Sequence, residues 1–317
     1  MIDVVAKLDV ITAGEAMVLF AAQQAGSLEE VTSFARTTAG AELNVAIGLA
    51  RLGLRVGYLS RLGNDSFGRH LAATLDREGV DRRHVAIDSE HPTGFMLKSR
   101  SDDGSDPKIE YFRRDSAASH MHASELDSAY CSSARHLHLT GIYVGVSPST
   151  REMVFELASK ARQTGMSISF DPNLRPTLWR SQSDMVDCLN HLSSFSDWVL
   201  PGLAEGQLLT GQDSAQGVAD FYLERGAKCV AVKLGAEGAY FATANERGLV
   251  PGVPVSHVVD TVGAGDGFAV GVVSGLLEGL TLAAATARGN TIGARVVQYP
   301  GDSDGLPTRD ELNAMLT

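Results

Sequence analysis

Short apolar runs alternate along this chain with stretches in which apolar residues recur every three or four positions. Val10-Ile11-Thr12 and then Gly14 to Phe20 predict a buried strand that turns into a second extended piece. From Ala39-Gly40-Ala41-Glu42 onward, Leu43, Ala46, Ile47 and Ala50 share one helical face until Gly53 ends the run. Arg55 to Ser60 predicts the next strand, and Ser66 to Glu78 the next helix, stopped by Gly79. The same alternation predicts strands over 136–140, 166–170, 197–200 and 229–235, with 238–242 as a hairpin partner for the last. Helices are predicted over 148–164, through Glu205 and Leu209, and over 214–225, 265–278, 281–297 and 308–316. Strand and helix in turn predict a doubly wound α/β fold, with a mostly parallel sheet and helices on both faces.

One segment breaks the alternation. Gly94 to Ser99 and Lys108 to Arg113 flank the polar, turn-rich Asp102-Asp103-Gly104-Ser105-Asp106-Pro107, the pattern of a β-hairpin. A period of two places Ile109, Tyr111 and Arg113 on one face. Inserted into an α/β alternation, such a hairpin predicts a small β lid, contributed by about 15–38 and 93–114. The chain carries no internal repeat, low-complexity segment or linker, so residues 1–317 are expected to form one domain.

Composition narrows the function classes. At 317 residues and 44% apolar content the chain can bury a large core. Its net charge of −11 argues against an electrostatic grip on nucleic acid or an anionic membrane, both of which need a basic surface. Cys131, Cys188 and Cys229 are far apart and unpaired in spacing, as in a reducing compartment. The N-terminus, with Asp3 and Asp9, lacks a basic region followed by a long apolar run, and Gly267 to Leu277 is too short to cross a bilayer. A cytoplasmic protein is expected.

The candidate chemistry centres on Asp260-Thr261-Val262-Gly263-Ala264-Gly265-Asp266-Gly267-Phe268, a glycine-rich turn that runs into an apolar helix. A helix start presents unpaired N–H groups and partial positive charge, which together suit an anion. Asp266 is then either a proton acceptor beside that anion or an ordinary first-turn aspartate on a core helix. Other polar residues fall at predicted strand ends, where ligands of open α/β sheets collect: Gly40, Asp171-Pro172-Asn173-Leu174-Arg175, Glu205 and Lys233 to Gly238. No P-loop is present, and Gly263-x-Gly265 lacks the third glycine of a dinucleotide fingerprint. His136/His138 and His120/His122 have the spacing of metal pairs, but no acidic or thiol ligand accompanies either in sequence. Gly267, Gly271 and Gly275 recur every fourth residue, which predicts close helix packing.

These motifs resemble those of a known family. Asp260 to Asp266 with its apolar helix resembles the C-terminal signature of the PfkB/ribokinase family of sugar kinases, and Ala39 to Ala46 through Arg61 to Gly68 resembles the N-terminal one. Gly14-Glu15-Ala16-Met17, Tyr111/Arg113, Asp171 to Trp179 and Gly301 to Thr308 are similar to the branch acting on 2-keto-3-deoxygluconate. Leu19 stands where ribokinase-like members carry a sugar-binding aspartate. The resemblance implies transfer of the ATP γ-phosphate to the 6-hydroxyl of that sugar acid. Asp266 would be the catalytic base, with Gly263, Ala264 and Gly265 holding the transferring phosphate. Gly40, Asn44, Met96, Tyr111, Arg113, Arg175 and Asp302 would contact the sugar acid. Its carboxylate suits a clamp by Arg113 and Arg175, although apart from the motif a surface ion pair is the commoner role for either arginine. Asn173, Arg175, Lys233, Gly235, Gly238 and Asn290 would lie along the nucleotide, Asn290 being alternatively an exposed polar helix residue. Glu205 would hold magnesium through water, because Gly202 replaces the asparagine many relatives carry three residues earlier. ATP and Mg2+ are thus the implied cofactors, a monovalent cation a further candidate, and a homo-oligomer formed through the lid the implied assembly. The alternatives are a fructokinase or ribokinase of the same family, or a catalytically silent sugar sensor.

Overall fold

The computed structural model describes residues 7–100 and 107–316. The polar hairpin tip over 102–106, and Asp3, lie outside the described residues. The first half of the chain runs β1 (Leu8–Ala13), β2 (Met17–Ala25), β3 (Phe34–Ala39), α1 (Ala41–Arg51), β4 (Val56–Gly63), α2 (Ser66–Arg77), β5 (Val85–Asp88), β6 (Phe95–Arg100), β7 (Ile109–Phe112), α3 (Ser128–Cys131) and β8 (Ala134–Thr140). It continues through α4 (Tyr143–Val146), α5 (Pro148–Gln163), β9 (Ser167–Asp171), α6 (Gln182–Ser193), β10 (Trp198–Val199), α7 (Leu203–Thr210) and α8 (Ala215–Glu224). The last elements are β11 (Cys229–Lys233), β12 (Gly238–Thr243), β13 (Arg247–Pro251), α9 (Ala264–Leu277), α10 (Leu282–Val296) and α11 (Arg309–Leu316).

Nine strands form one sheet in the order β13-β12-β11-β10-β9-β8-β1-β4-β5. Pairing is parallel from β11 to β5 and antiparallel only where β12 and β13 add to the edge, as the doubly wound pattern predicts. Alternate side chains fill the two faces. Ile11, Leu137, Phe170 and Val230 pack with α5, α6 and α8, whereas Val10, Val56 and Ala231 pack with α1, α9 and α10. Successive strands step one way from β1 to β4 and β5 and the other way from β8 to β11, so the order reverses between β1 and β8. That reversal opens a crevice at the carboxyl ends of the strands, the usual ligand position in such sheets.

A second sheet, ordered β3-β2-β6-β7, stands over this end. The expected hairpin is present as β6 and β7, antiparallel with Met96 opposite Tyr111. Strand β3, with its run of small and threonine residues, gives no clear period of two in the sequence; it is held by antiparallel pairing to β2. Ala39 closes this strand instead of opening the helix, because Gly40 at φ 133° turns the chain between them. A side chain there would also place its Cβ 2.4 Å from the Glu15 carbonyl oxygen.

The glycine series of α9 packs as its spacing predicts. A Cβ on Gly271 would lie 2.5 Å from Gly289 Cα on α10, and one on Gly275 would lie 2.8 Å from Ala285 Cβ. Among the described residues no helix is long and apolar enough to cross a membrane.

Candidate active site

Helix α9 begins at the crevice. Gly263, at φ 83°, is its N-cap, and Asp260 Oδ1 accepts the Val262 N–H at 2.9 Å to shape the preceding turn. A Cβ on Gly263 would meet the Asp302 carbonyl oxygen at 2.5 Å, so only glycine lets the two segments approach. Asp266 follows in the first turn and is only 7% exposed. Its Oδ2 accepts from Asn44 Nδ2 at 2.7 Å and its Oδ1 from Asn173 Nδ2 at 3.4 Å. Burial, together with the negative charges of Asp171 and Asp302, lifts the Asp266 carboxyl to about 7 despite the Asn44 hydrogen bond and the Arg175 charge. A carboxylate that stays basic near neutrality is suited to accept a proton.

The cleft beside it encloses about 340 Å³. Its lining brings together Gly40, Asn44, Met96, Tyr111, Arg113, Arg175 and Asp302 of the residues expected near a sugar acid. Leu19 is buried against Met17, Ala39 and Met96, three residues of the cleft wall, and does not itself line the cleft. The two arginines differ. Arg113 donates from Nε to Glu15 Oε2 at 2.7 Å, and Ser116 Oγ donates to the other Glu15 oxygen at 2.5 Å. Its charge is therefore largely matched inside the protein by Glu15. Arg175 donates to the Leu174 carbonyl at 2.9 Å and to the Asn173 carbonyl at 3.5 Å, and its charge acts on Asp266. It retains donors for an anion.

On the other side of Asp266, Lys233 Nζ donates to Asp171 Oδ2 at 2.6 Å. Burial and the neighbouring Glu205 raise the Asp171 carboxyl to about 6, against the opposing pull of Lys233. Glu205 accepts the Leu174 N–H on Oε1 and the Gly202 N–H on Oε2, both at 2.7 Å. It thereby ties α7 to the loop after β9, and each oxygen keeps acceptor capacity for a water. Asn173, Glu205, Lys233, Gly263 and Gly265 line the same cleft, and Gly235 lines an adjoining depression that shares Glu205 and Lys233.

Three expected residues stand outside these linings. Ala264 is the first residue of α9. Gly238, at φ 107°, lets the β12–β13 pair close. Asn290 is buried, not exposed, and its Nδ2 donates to the Val250 and Pro251 carbonyls, both at 3.1 Å.

Sequence reasoning missed Glu15, Glu42 and Lys98 as individuals. Glu42 is buried beside the cleft, accepts from Thr140 Oγ1, and is raised by burial. Lys98 reaches from β6 to Asp260 and Asp302. The available signal was a lone charge in the otherwise apolar strand run Phe95-Met96-Leu97-Lys98.

The histidines resolve differently from one another. His136 and His138 are buried and bonded to Ser167 and Ser169 hydroxyls, and burial lowers both, His138 to about 3. His120 corrects the sequence reading that no acidic group accompanies it: Asp115 Oδ1 lies 2.6 Å from its Nε2. His91 stacks on the same ring with centroids 3.6 Å apart. The fold supplies that pairing through Asp115, a non-glycine residue at φ 60°.

The chain is similar to known proteins over nearly its whole length. The model of the pfkB family carbohydrate kinases matches residues 7–309. A 2-dehydro-3-deoxygluconokinase of Bacillus subtilis (strain 168) is 50% identical over 312 residues, 98% of this chain and 96% of that protein. The crystal structure of a PfkB protein from Polaromonas sp. JS666 superposes with a TM-score of 0.90 at 53% identity, covering 97% of this chain and 99% of that one. A double-mutant fructokinase from Vibrio cholerae O395, solved with fructose, ADP and a potassium ion bound, has a TM-score of 0.86 at 26% identity over 98% of this chain and 99% of its own.

Proposed function

This chain belongs to the pfkB family of carbohydrate kinases, and from that we propose that it transfers the γ-phosphate of ATP to the 6-hydroxyl of 2-keto-3-deoxygluconate. The product is 2-keto-3-deoxy-6-phosphogluconate. The observation that carries the choice of substrate is the 50% identity to a 2-dehydro-3-deoxygluconokinase over nearly the whole chain. Two features of the cleft support it independently. Arg175 lines the cleft with guanidinium donors left over from its backbone contacts, which suits a carboxylate. Leu19, buried behind Met17, Ala39 and Met96 of the cleft wall, stands where the resemblance places a sugar-binding aspartate in ribokinase-like members.

In this reading the sugar acid lies between Gly40 and the small sheet, which acts as the lid, with Tyr111 over it and Arg175 at its charged end. Asp266 accepts the proton of the attacking hydroxyl as the new P–O bond forms and the bond to ADP breaks. Asn44 and Asn173 hold its two oxygens, so the carboxylate is oriented before substrate arrives. The first amides of α9 receive the negative oxygens of the transferring group, aided by the helix dipole. Lys233 lies on the nucleotide side. Magnesium, when bound with ATP, neutralises phosphate charge. Glu205 fits a water-mediated hold on it, since both its oxygens already serve backbone N–H groups. Closure of the lid excludes water that would hydrolyse ATP.

The proposal includes a cytoplasmic setting, supported by three cysteines without disulfides, and assembly through the lid, supported by Tyr111 and Phe112 at 39% and 46% exposure. Phosphorus NMR of the product tests the chemistry. A single new phosphomonoester on the primary carbon is expected, and a phosphate on any other oxygen would overturn the assignment.

A further inference from the structure

Lys98 is a charge placed where the strand pattern calls for an apolar residue. It shares the inward face of β6 with Met96, and its side chain is only 3% exposed. Its ammonium donates to Asp260 Oδ2 at 2.5 Å, Asp302 Oδ1 at 2.9 Å and the Pro300 carbonyl at 3.1 Å. Three donors meet three oxygens, which is the full capacity of a lysine head group.

Both carboxylates belong to walls of the phosphate-holding turn. Asp260 fixes Val262 through its second oxygen. Asp302 presses its backbone against Gly263. One ammonium thus joins the two walls, and it arrives from the lid sheet, more than 160 residues from either partner in sequence. Burial alone would push Lys98 towards its neutral form, but Asp302 and Asp260 outweigh that and hold it charged. Without the ammonium, two carboxylates would face each other beside a site that must accept the anionic phosphates of ATP.

We propose that Lys98 is a positioning residue that docks the lid sheet onto the phosphate-holding turn and serves there as a built-in monovalent cation. The inference rests on the kinase reading. The wild-type enzyme accordingly needs no added monovalent cation, and the oxygen cage, emptied of its ammonium, accepts a small cation in its place.

The test uses full-length Lys98→Ala and Lys98→Met, with circular dichroism confirming the fold. ADP release is measured at constant ionic strength in tetramethylammonium, potassium or ammonium chloride. Wild type is expected to vary less than twofold among the salts. Lys98→Ala should lose at least tenfold in kcat in tetramethylammonium and recover at least threefold with potassium or ammonium. Lys98→Met, whose apolar chain fills the cage, should lose as much and recover nothing; where Lys98→Ala does not fold, the Lys98→Met loss beside an unresponsive wild type carries the test. Wild-type activation by potassium, full activity in both variants, or a loss in Lys98→Ala that no cation reverses would overturn the proposal. ATP affinity, measured by calorimetry without sugar, should weaken in the variants and follow the same cation pattern. That readout separates failure here from a wrong sugar assignment, which would leave the nucleotide result intact.

Discussion

A carboxylate buried at a helix start, as Asp266 is, carries its proposed role and its energetic cost in the same atoms. Its folded value of about 7 lies above the ordinary 3.8, so the folded state binds the proton more tightly than the unfolded chain. By linkage, its contribution to stability falls as pH rises from about 3.8 to about 7 and is constant above that. Asp266→Asn removes this titration. Thermal melts should therefore find the variant more stable than wild type at pH 8, with the gap closing towards pH 4; a variant less stable at pH 8 would contradict the buried-charge account. The same substitution should lower kcat by about 100- to 10,000-fold while leaving ATP affinity within a few-fold, measured by coupled ADP release and calorimetry. Wild-type kcat/KM should show an acid limb with a midpoint near 7, since protonation removes the acceptor. The sequence placed Asp266 in the site, but its partner Asn44 lies 222 positions away, and no local pattern reports that distance. The Glu15–Arg113 pair, 98 positions apart, was hidden for the same reason. Arg175 and Arg113 should accordingly behave differently. Arg175→Ala should raise KM for the sugar acid about 10- to 100-fold, the worth of a charge-assisted bond, with folding intact. Arg113→Ala strands buried Glu15 and should cost about 3–5 kcal/mol of stability, read by urea unfolding.

Helix α9 joins the glycine-rich turn to the core, and its small residues bring α10 against it. Gly271→Ala would drive a Cβ into the Gly289 backbone at 2.5 Å, where no flexible side chain can yield. A loss of about 1–3 kcal/mol is expected in denaturant unfolding, the usual cost of overpacking. Wild-type stability in that variant would show that the two helices can part without penalty. This packing was legible because a four-residue glycine spacing has a direct helical meaning. The main strands and helices were legible likewise, since their apolar periods are strong. Strand β3 was not, because its residues alternate weakly and its place is set by pairing with β2. Strand β10 shrinks to two residues, held between β9 and β11.

Across the molecule, the reversal of strand order between β1 and β8, the start of α9 and the second sheet converge on one cleft. The alternation of elements made the doubly wound sheet readable, and two long motifs at opposite ends made the kinase chemistry readable. The acceptor sugar was less so, because it depends on which charges in the cleft remain unmatched once the chain has folded. Arg175 keeps donors, Arg113 is matched by Glu15, and Lys98 is matched by Asp260 and Asp302. The most direct test is the ratio of kcat/KM for 2-keto-3-deoxygluconate to that for fructose or ribose, measured by ADP release with saturating magnesium and ATP. A ratio of at least 1,000 is expected if a desolvated carboxylate–arginine contact decides the acceptor. Equal or greater kcat/KM with fructose or ribose would contradict the assignment of a sugar-acid kinase.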